Sequence, residues 1–187
     1  MRNLMISMVL TFSALAGCAS NDMSATLDDE AQSFEEVEVA ITAELTAYRI
    51  VATGTIEDGK ANDQLEVVMT LDAETVRALE DGASLSFSGN AAFQGTQEGD
   101  PGFSAAASHD TAVRGAWLRY TCDDCERNGN EMQAVEGTLT LDEITDEQLA
   151  GTLTMAVEGQ IPSWKPTESG GAKASIDVSF DAPITTP

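Results

Sequence analysis

Apolar and polar residues alternate along several segments of the chain, which is the pattern of β-strands with one buried face. The clearest segments are 65–71, 135–141 and 174–180, and shorter ones are 84–87 and 152–157. Glycine, proline, asparagine and aspartate are frequent between these segments, as expected for turns. Because each short strand has only one apolar face, the pattern predicts an antiparallel all-β fold.

Two hairpins are predicted at Asp58-Gly59 and Asn128-Gly129, because such dipeptides are the strongest two-residue turn signals. Counting outward from each turn keeps apolar residues opposite apolar residues. The predicted pairs are Tyr48 with Met69, Ile50 with Val67, Ala52 with Leu65, Leu118 with Leu139 and Cys122 with Val135.

The hairpins belong to a candidate internal duplication with a period of 70 residues, since residues 47–89 align with 117–159 without a gap. The predicted repeats extend over about 47–113 and 117–182. Each copy has one arginine and one glutamate on its outward face, where we expect cross-strand ion pairs. These pairs are Arg49 with Glu66 and Arg119 with Glu136.

An acidic connection follows the second strand of each repeat, at 72–81 and 142–150. Each begins with an aspartate that can cap one or two helical turns, Asp72 or Asp142. A further strand closes each repeat, at 103–113 in the first. About eight strands result, which is typical of an antiparallel sandwich or small barrel.

Few aromatic residues are available for the core, at 5% of the chain, so a small aliphatic interior is expected. If the inward side chains fill that interior, the domain is a packed module, and if they line a hole, it is a carrier of an apolar ligand. The inward positions are Tyr48, Ile50, Val67, Met69, Leu85, Phe87, Leu118, Leu139 and Leu153.

The chain begins like a secretory signal, with Arg2, an apolar core and small residues before a cysteine. The motif Leu15-Ala16-Gly17-Cys18 resembles the lipobox of bacterial lipoproteins. The resemblance implies that residues 1–17 are removed and that Cys18 carries the acyl chains that bind the membrane. Because Ala19 follows instead of aspartate, the resemblance also implies a location at the outer membrane.

Residues 18–33 are polar and acidic, and they are expected to form a flexible tether behind the lipidated cysteine. Residues 34–187 are expected to form a single β-rich domain, for which the length suffices.

The composition is strongly acidic, with 32 Asp and Glu against nine Lys and Arg and a net charge of −23. Nucleic acid and anionic lipid surfaces require basic partners, so both are excluded as ligands of the domain. The charge favours solubility, and a cation-binding role is the sharper alternative.

Cys122 and Cys125 are expected to form a structural disulfide in an oxidising compartment. Zinc would need two further ligands, and His109 is the single histidine. Two aspartates between the cysteines disfavour a reactive thiolate. Residues three apart on a strand are too distant to bridge, so a bond requires a turn at Asp123-Asp124.

A partial calcium-loop pattern overlaps the second cysteine. Position twelve of that loop is Val135, where a bidentate glutamate belongs. A polar hairpin tip is the alternative interpretation. The candidate ligands are Asp124, Glu126, Asn128 and Asn130.

No catalytic constellation stands out. Ser108, His109 and Asp110 are adjacent, so their side chains alternate in direction along a strand and form no relay. Trp117 and Trp164 are candidates for stacking on sugars, with ordinary packing as the alternative.

These observations predict a lipid-anchored lipoprotein of the cell envelope that acts as a non-catalytic binding or structural module. Its partners would be the membrane, through the anchor, and an envelope protein. The alternatives are a small barrel that carries an apolar ligand and a calcium-dependent recognition domain. No cofactor is expected beyond the lipid on Cys18.

Overall fold

Strands account for most of the chain that the structure describes. The computed structural model describes residues 21–27, 29–57, 63–88, 112–121, 130–159 and 172–187. Its elements in chain order are β1 (Asp22–Leu27), β2 (Glu30–Gln32), β3 (Phe34–Ala43), β4 (Ala47–Ile56), β5 (Gln64–Asp72), α1 (Ala73–Arg77), β6 (Ala83–Ser88), β7 (Val113–Thr121), β8 (Asn130–Ile144), β9 (Gln148–Gly159) and β10 (Ala172–Thr185). The all-β prediction is confirmed.

Strand β10 shows how the sequence pattern becomes structure. Every second side chain is buried, from Ala174 to Ala182. The side chains of Ser175 and Asp177, which lie between buried residues, are exposed. The alternation of the sequence therefore places one face of the strand in the core and the other in solvent.

Seven strands form a ring in which each is hydrogen-bonded to the next: β3, β4, β5, β7, β8, β9 and β10. Neighbours are antiparallel except at the seam between β10 and β3, which pairs only Ile184 with Ile41 and Thr185 with Thr42. A closed ring with an odd number of strands cannot alternate in direction all the way round. The small barrel is therefore closed by one short parallel seam.

The barrel has two layers, with β3, β4, β5 and β7 in one and β1, β2, β6 and β9 in the other, and strands β8 and β10 belong to both. β8 pairs with β7 at 130–133 and with β6 at 136–141, and β9 pairs with its other edge from Ala134 to Ile144. β10 pairs first with β1 and then with β3. The register of β8 shifts between Ala134 and Glu136, where the strand passes from one layer to the other. Such bulges bend strands, which explains how one strand turns this corner.

The side chains inside the ring form one hydrophobic core. Eight of the nine positions expected to face inward are buried, and the ninth, Leu85, is partly buried against them. The buried aromatic residues of this cluster are Tyr48, Phe87 and Phe180. The remainder is aliphatic apart from methionine, as the composition predicted.

The registers of both predicted hairpins are wrong. In the first, Tyr48 is opposite Leu71 instead of Met69, and Ile50 is opposite Met69. A shift of two residues keeps every side chain on its predicted face, because strands have a period of two. In the second, Leu118 is opposite Met132, seven residues from the predicted partner.

The helix prediction is confirmed for the first acidic connection and wrong for the second. Asp72 caps α1 by accepting a hydrogen bond from the Thr75 N–H at 2.8 Å. In the second connection, Thr145 N–H donates to the Gln148 carbonyl at 3.0 Å in a tight turn. This turn suffices because β8 and β9 are neighbours in the sheet, whereas β5 and β6 lie in different layers.

The two candidate repeats pair their strands differently. β5 and β6 are not neighbours, whereas the corresponding strands β8 and β9 pair along most of their length. Residues 103–111 of the predicted closing strand of the first repeat lie outside the described residues. The duplication stays a prediction from the sequence.

The predicted tether is instead strand where the structure describes it. β1 pairs with β10, and β2 pairs with β1. Met23, Ala25 and Leu27 are buried in the core. They alternate with polar residues over only six positions, so the acidic composition of the stretch concealed them.

Candidate functional site

Most of the residues singled out from the sequence lie outside the described part of the chain. These are Cys18, Cys122, Cys125, Asp124, Glu126 and Asn128, together with His109 and Trp164. Asn130 is described in its backbone only, as the first residue of β8, opposite Tyr120. Lipidation, the disulfide and the calcium loop therefore stay predictions.

Trp117 is buried on the outer face of the barrel. It is 1% exposed, lies directly opposite Val68 of β5 and packs with Val68 and Val51. A tryptophan that stacks on sugars must present a ring face to solvent. The alternative interpretation from the sequence, ordinary packing, is confirmed for this residue.

The ion-pair partner of an outward arginine is set by the strand beside it in the sheet and not by the next strand in the sequence. Arg119 binds Glu66 at 3.0 Å, because β7 lies beside β5 and places the two residues directly opposite each other. The predicted pairing of Arg49 with Glu66 is wrong, since Arg49 lies opposite Thr70. The ion pair between Arg119 and Glu66 is partly buried and links two strands that are not consecutive in the chain.

Asp72 connects three elements at one end of the barrel. Its Oδ1 accepts hydrogen bonds from the Thr75 N–H and the Thr75 hydroxyl, both at 2.8 Å. Its Oδ2 binds the guanidinium of Arg114 in β7, which also donates to Thr46 Oγ1 at 3.1 Å. We call Asp72, Thr75, Arg114 and Thr46 the Asp72 cluster.

The contacts within the Asp72 cluster stabilise the charged form of the Asp72 carboxylate. Hydrogen bonds from the backbone and side chain of Thr75, and then from Arg114, lower the pKa of Asp72 from 3.8 to about 2. Both carboxylate oxygens have partners, so the group is suited to hold elements together and not to transfer protons. Arg114 was not singled out from the sequence, because 42 residues separate it from Asp72.

Asp72→Asn is expected to reduce stability in a pH-dependent way. Asparagine keeps an acceptor for Thr75 but removes the charge facing Arg114. The folded-state pKa of about 2 lies below the ordinary value of 3.8, so the charged carboxylate stabilises the fold above about pH 4. That advantage is lost as pH falls through about 2.

The measurement is the thermal unfolding midpoint of both proteins between about pH 2 and 7, where the difference in Tm should shrink on acidification. Glu74→Gln, an exposed carboxylate of the same helix, is the control and should show no such trend. A difference in Tm that stays constant down to low pH would contradict the role of Asp72.

Exposed carboxylates are frequent at the end of the barrel that contains the Asp72 cluster, which we call the α1 end. The α1 end consists of the turn 44–46, helix α1 with residues 78–82, and the turn 145–147 with the adjoining end of β8. No group of three His, Cys, Asp or Glu within the described segments is arranged to hold a metal ion. The acidic side chains of the α1 end are exposed to solvent, as is usual for charged groups. These residues are Glu44, Glu74, Glu80, Asp81, Asp142, Glu143, Asp146 and Glu147.

Within the described residues, the interior of the barrel is occupied by apolar side chains. A cavity of about 10 Å³ lies among the inward side chains, and all of its lining residues are apolar. Such a volume is near the lower limit for one water molecule. The inward positions that the structure describes fill the space between the layers. The lining residues are Ile50, Ala52, Val67, Met69, Leu139, Leu153, Val178 and Phe180.

Comparison of the chain with known protein families, with curated proteins and with solved structures finds no match. Across the described ranges, no helix has the length and apolar character needed to cross a bilayer.

Proposed function

We propose that the chain is a lipid-anchored lipoprotein of the bacterial outer membrane, and that its β-domain is a non-catalytic binding or structural module. The observation that carries the proposal is the distance in sequence between the lipobox and the fold. Strand β1 begins at Asp22, four residues after Cys18. Cleavage before Cys18 would therefore remove the signal and leave every described strand intact.

A lipid on Cys18 supplies the attachment. A single acyl chain holds a protein only marginally, whereas two or three chains hold it durably, at about 0.8 kcal/mol per buried methylene. In lipoproteins, which the lipobox resembles, an aspartate after the lipidated cysteine retains the protein at the inner membrane. Position 19 is alanine instead, which supports sorting to the outer membrane.

A module that works through its surface accounts better for the domain than a carrier does. The described interior is filled, and its cavity of about 10 Å³ is far smaller than the roughly 300 Å³ at which ligand pockets begin. A net charge of −23 disfavours nucleic acid and anionic lipid as partners. An envelope protein is the partner that we propose.

Cys18→Ser is expected to abolish acylation. Cells expressing the full chain are fed an alkyne-bearing fatty acid, and the purified protein is examined for the label and for its mass. The wild-type chain should carry label on the peptide that begins at Cys18.

Cys122→Ser is the matched control, since it removes a different cysteine and should leave the label unchanged. Label that persists in Cys18→Ser, or a wild-type chain without any label, would refute the lipid anchor.

A further inference from the structure

The first described residue, Asn21, is attached close to one end of the barrel. Its side-chain oxygen accepts a hydrogen bond from the Asp181 N–H at 3.0 Å. Asp181 lies four residues before the end of β10 at Thr185. β10 ends beside the turn 44–46, because Thr185 pairs with Thr42 of β3. The chain therefore enters the barrel near the α1 end, and β1 runs away from it.

The reach of the chain limits where a lipid on Cys18 can lie. Asn21 is three positions after Cys18 in the chain, so their Cα atoms are at most about 11 Å apart. The opposite end of the barrel, which we call the far end, is where β10 begins at Ala172. Nine residues separate Ala172 from Asp181, which is about 30 Å along a strand. The α1 end is only about 13 Å from Asp181 on the same measure.

We infer that the α1 end of the domain faces the membrane and that the turn 44–46 contacts the bilayer surface. This inference rests on the proposed lipid anchor. The lipid can come close to the α1 end and cannot approach the far end. The strand ends at Ile56, Thr121 and Gly159 then lie on the side of the domain that is away from the membrane.

Leu45 supplies the contact at the tip of the turn 44–46. Its relative exposure is 102%, and it is the one exposed large hydrophobic residue among those described. A single exposed leucine is ordinary on a protein surface. At the tip of the hairpin beside the anchored end of β10, however, this side chain meets the boundary between headgroups and acyl chains, where apolar side chains are stabilised.

The charge of the α1 end selects the kind of bilayer. Glu44 is adjacent to Leu45 in sequence, and Asp146 and Glu147 form the neighbouring turn. These exposed carboxylates are repelled by anionic headgroups. The surface therefore fits a zwitterionic lipid such as phosphatidylcholine, and anionic lipid should hold the domain away.

The test uses the full lipidated chain in phosphatidylcholine vesicles that contain a diazirine-bearing phosphatidylcholine. After irradiation and proteolysis, mass spectrometry locates the lipid adducts. Adducts are expected on the peptides that contain residues 44–46 and 145–147, and not on those that contain Glu57 or Gln64 at the far end. Replacing half of the lipid by phosphatidylglycerol should remove most of these adducts.

Leu45→Ser should lose most adducts on its own turn, whereas Glu57→Ser at the far end is the matched control and should leave the pattern unchanged. An acylated chain with adducts at the far end, or equally at both ends, would overturn the orientation alone. An acylated chain whose adducts at the turn increase with anionic lipid would overturn the assigned contact. Absence of the acyl mass on Cys18 would overturn the proposed anchor and this inference with it.

Discussion

Leu139→Ala is expected to lower the free energy of unfolding by about 3 to 5 kcal/mol. Leu139 is fully buried at the centre of β8, between Leu153 of β9 and Leu85 of β6. It also lines the cavity of about 10 Å³. Strands on both sides hold β8 in place, so the walls cannot collapse into the space that the leucine leaves.

Urea unfolding measures this loss, and Leu139→Met is the control because it nearly conserves volume and should cost less than about 1.5 kcal/mol. The enlarged cavity should also bind benzene, since apolar cavities stay dry. Benzene should then raise the Tm of Leu139→Ala and leave the wild-type Tm unchanged. A loss of unfolding free energy below about 1 kcal/mol would contradict the tight packing. A rise of the wild-type Tm in benzene would support the alternative that the domain carries an apolar ligand.

Gly151→Ala is expected to lower the free energy of unfolding by about 3 kcal/mol, as overpacking does. A Cβ on Gly151 would lie 2.1 Å from the Thr140 carbonyl oxygen and 3.2 Å from the Leu141 Cα. Both atoms belong to the backbone of β8, which pairs with β9 at this position. Relief of the clash therefore requires the β8–β9 ladder to open.

Gly82→Ala is the informative control, because its cost arises from the backbone and not from space. Gly82 has a φ of +81° and nothing within 4 Å of an added Cβ. Alanine there should cost about 1 kcal/mol, and Gly82→Asn should cost less, since asparagine tolerates the left-handed region. Urea unfolding of the three variants tests the ranking, which would be wrong if Gly151→Ala were no worse than Gly82→Ala.

The sequence predicted the strands and their inward faces because alternation records burial directly. It did not fix which residues lie opposite each other, because a period of two is unchanged by a shift of two residues, as at Tyr48. In the second hairpin, Tyr120 already lies opposite Asn130, so the register departs from the count made from Asn128-Gly129 at the first described pair. The bulge of β8 after Ala134 is a further irregularity that the alternation did not predict.

Contacts between distant parts of the chain depend on which strands become neighbours. Arg119 binds Glu66 because β7 lies beside β5, and Asp72 binds Arg114 for the same reason. Asp72 and Asp142 carry the same local helix signal, yet only Asp72 begins a helix. The connection after Asp142 joins adjacent strands, so sheet pairing overrides the local preference.

The N-terminal strands were missed because composition was averaged over a long acidic stretch. Met23, Ala25 and Leu27 carry the two-residue period, and giving weight to such short alternations would have found β1. The lipobox prediction is a different matter, since Cys18 lies outside the described residues and its acylation depends on the enzymes of the cell.

The short seam of the barrel gives the N-terminal segment a second role. β3 pairs with β10 at Ile184 and Thr185 only, and β1 pairs with the earlier positions 174–179. In a chain without residues 21–32, the edge of β10 that pairs with β1 would be unpaired. Apolar and polar side chains alternate along that edge, and such an edge is a template for pairing with other copies of the chain. We expect that truncation to aggregate, as light scattering would show, and a truncation that stayed monomeric would refute this role. The segment that follows the proposed lipid anchor would thus also protect the domain from aggregation.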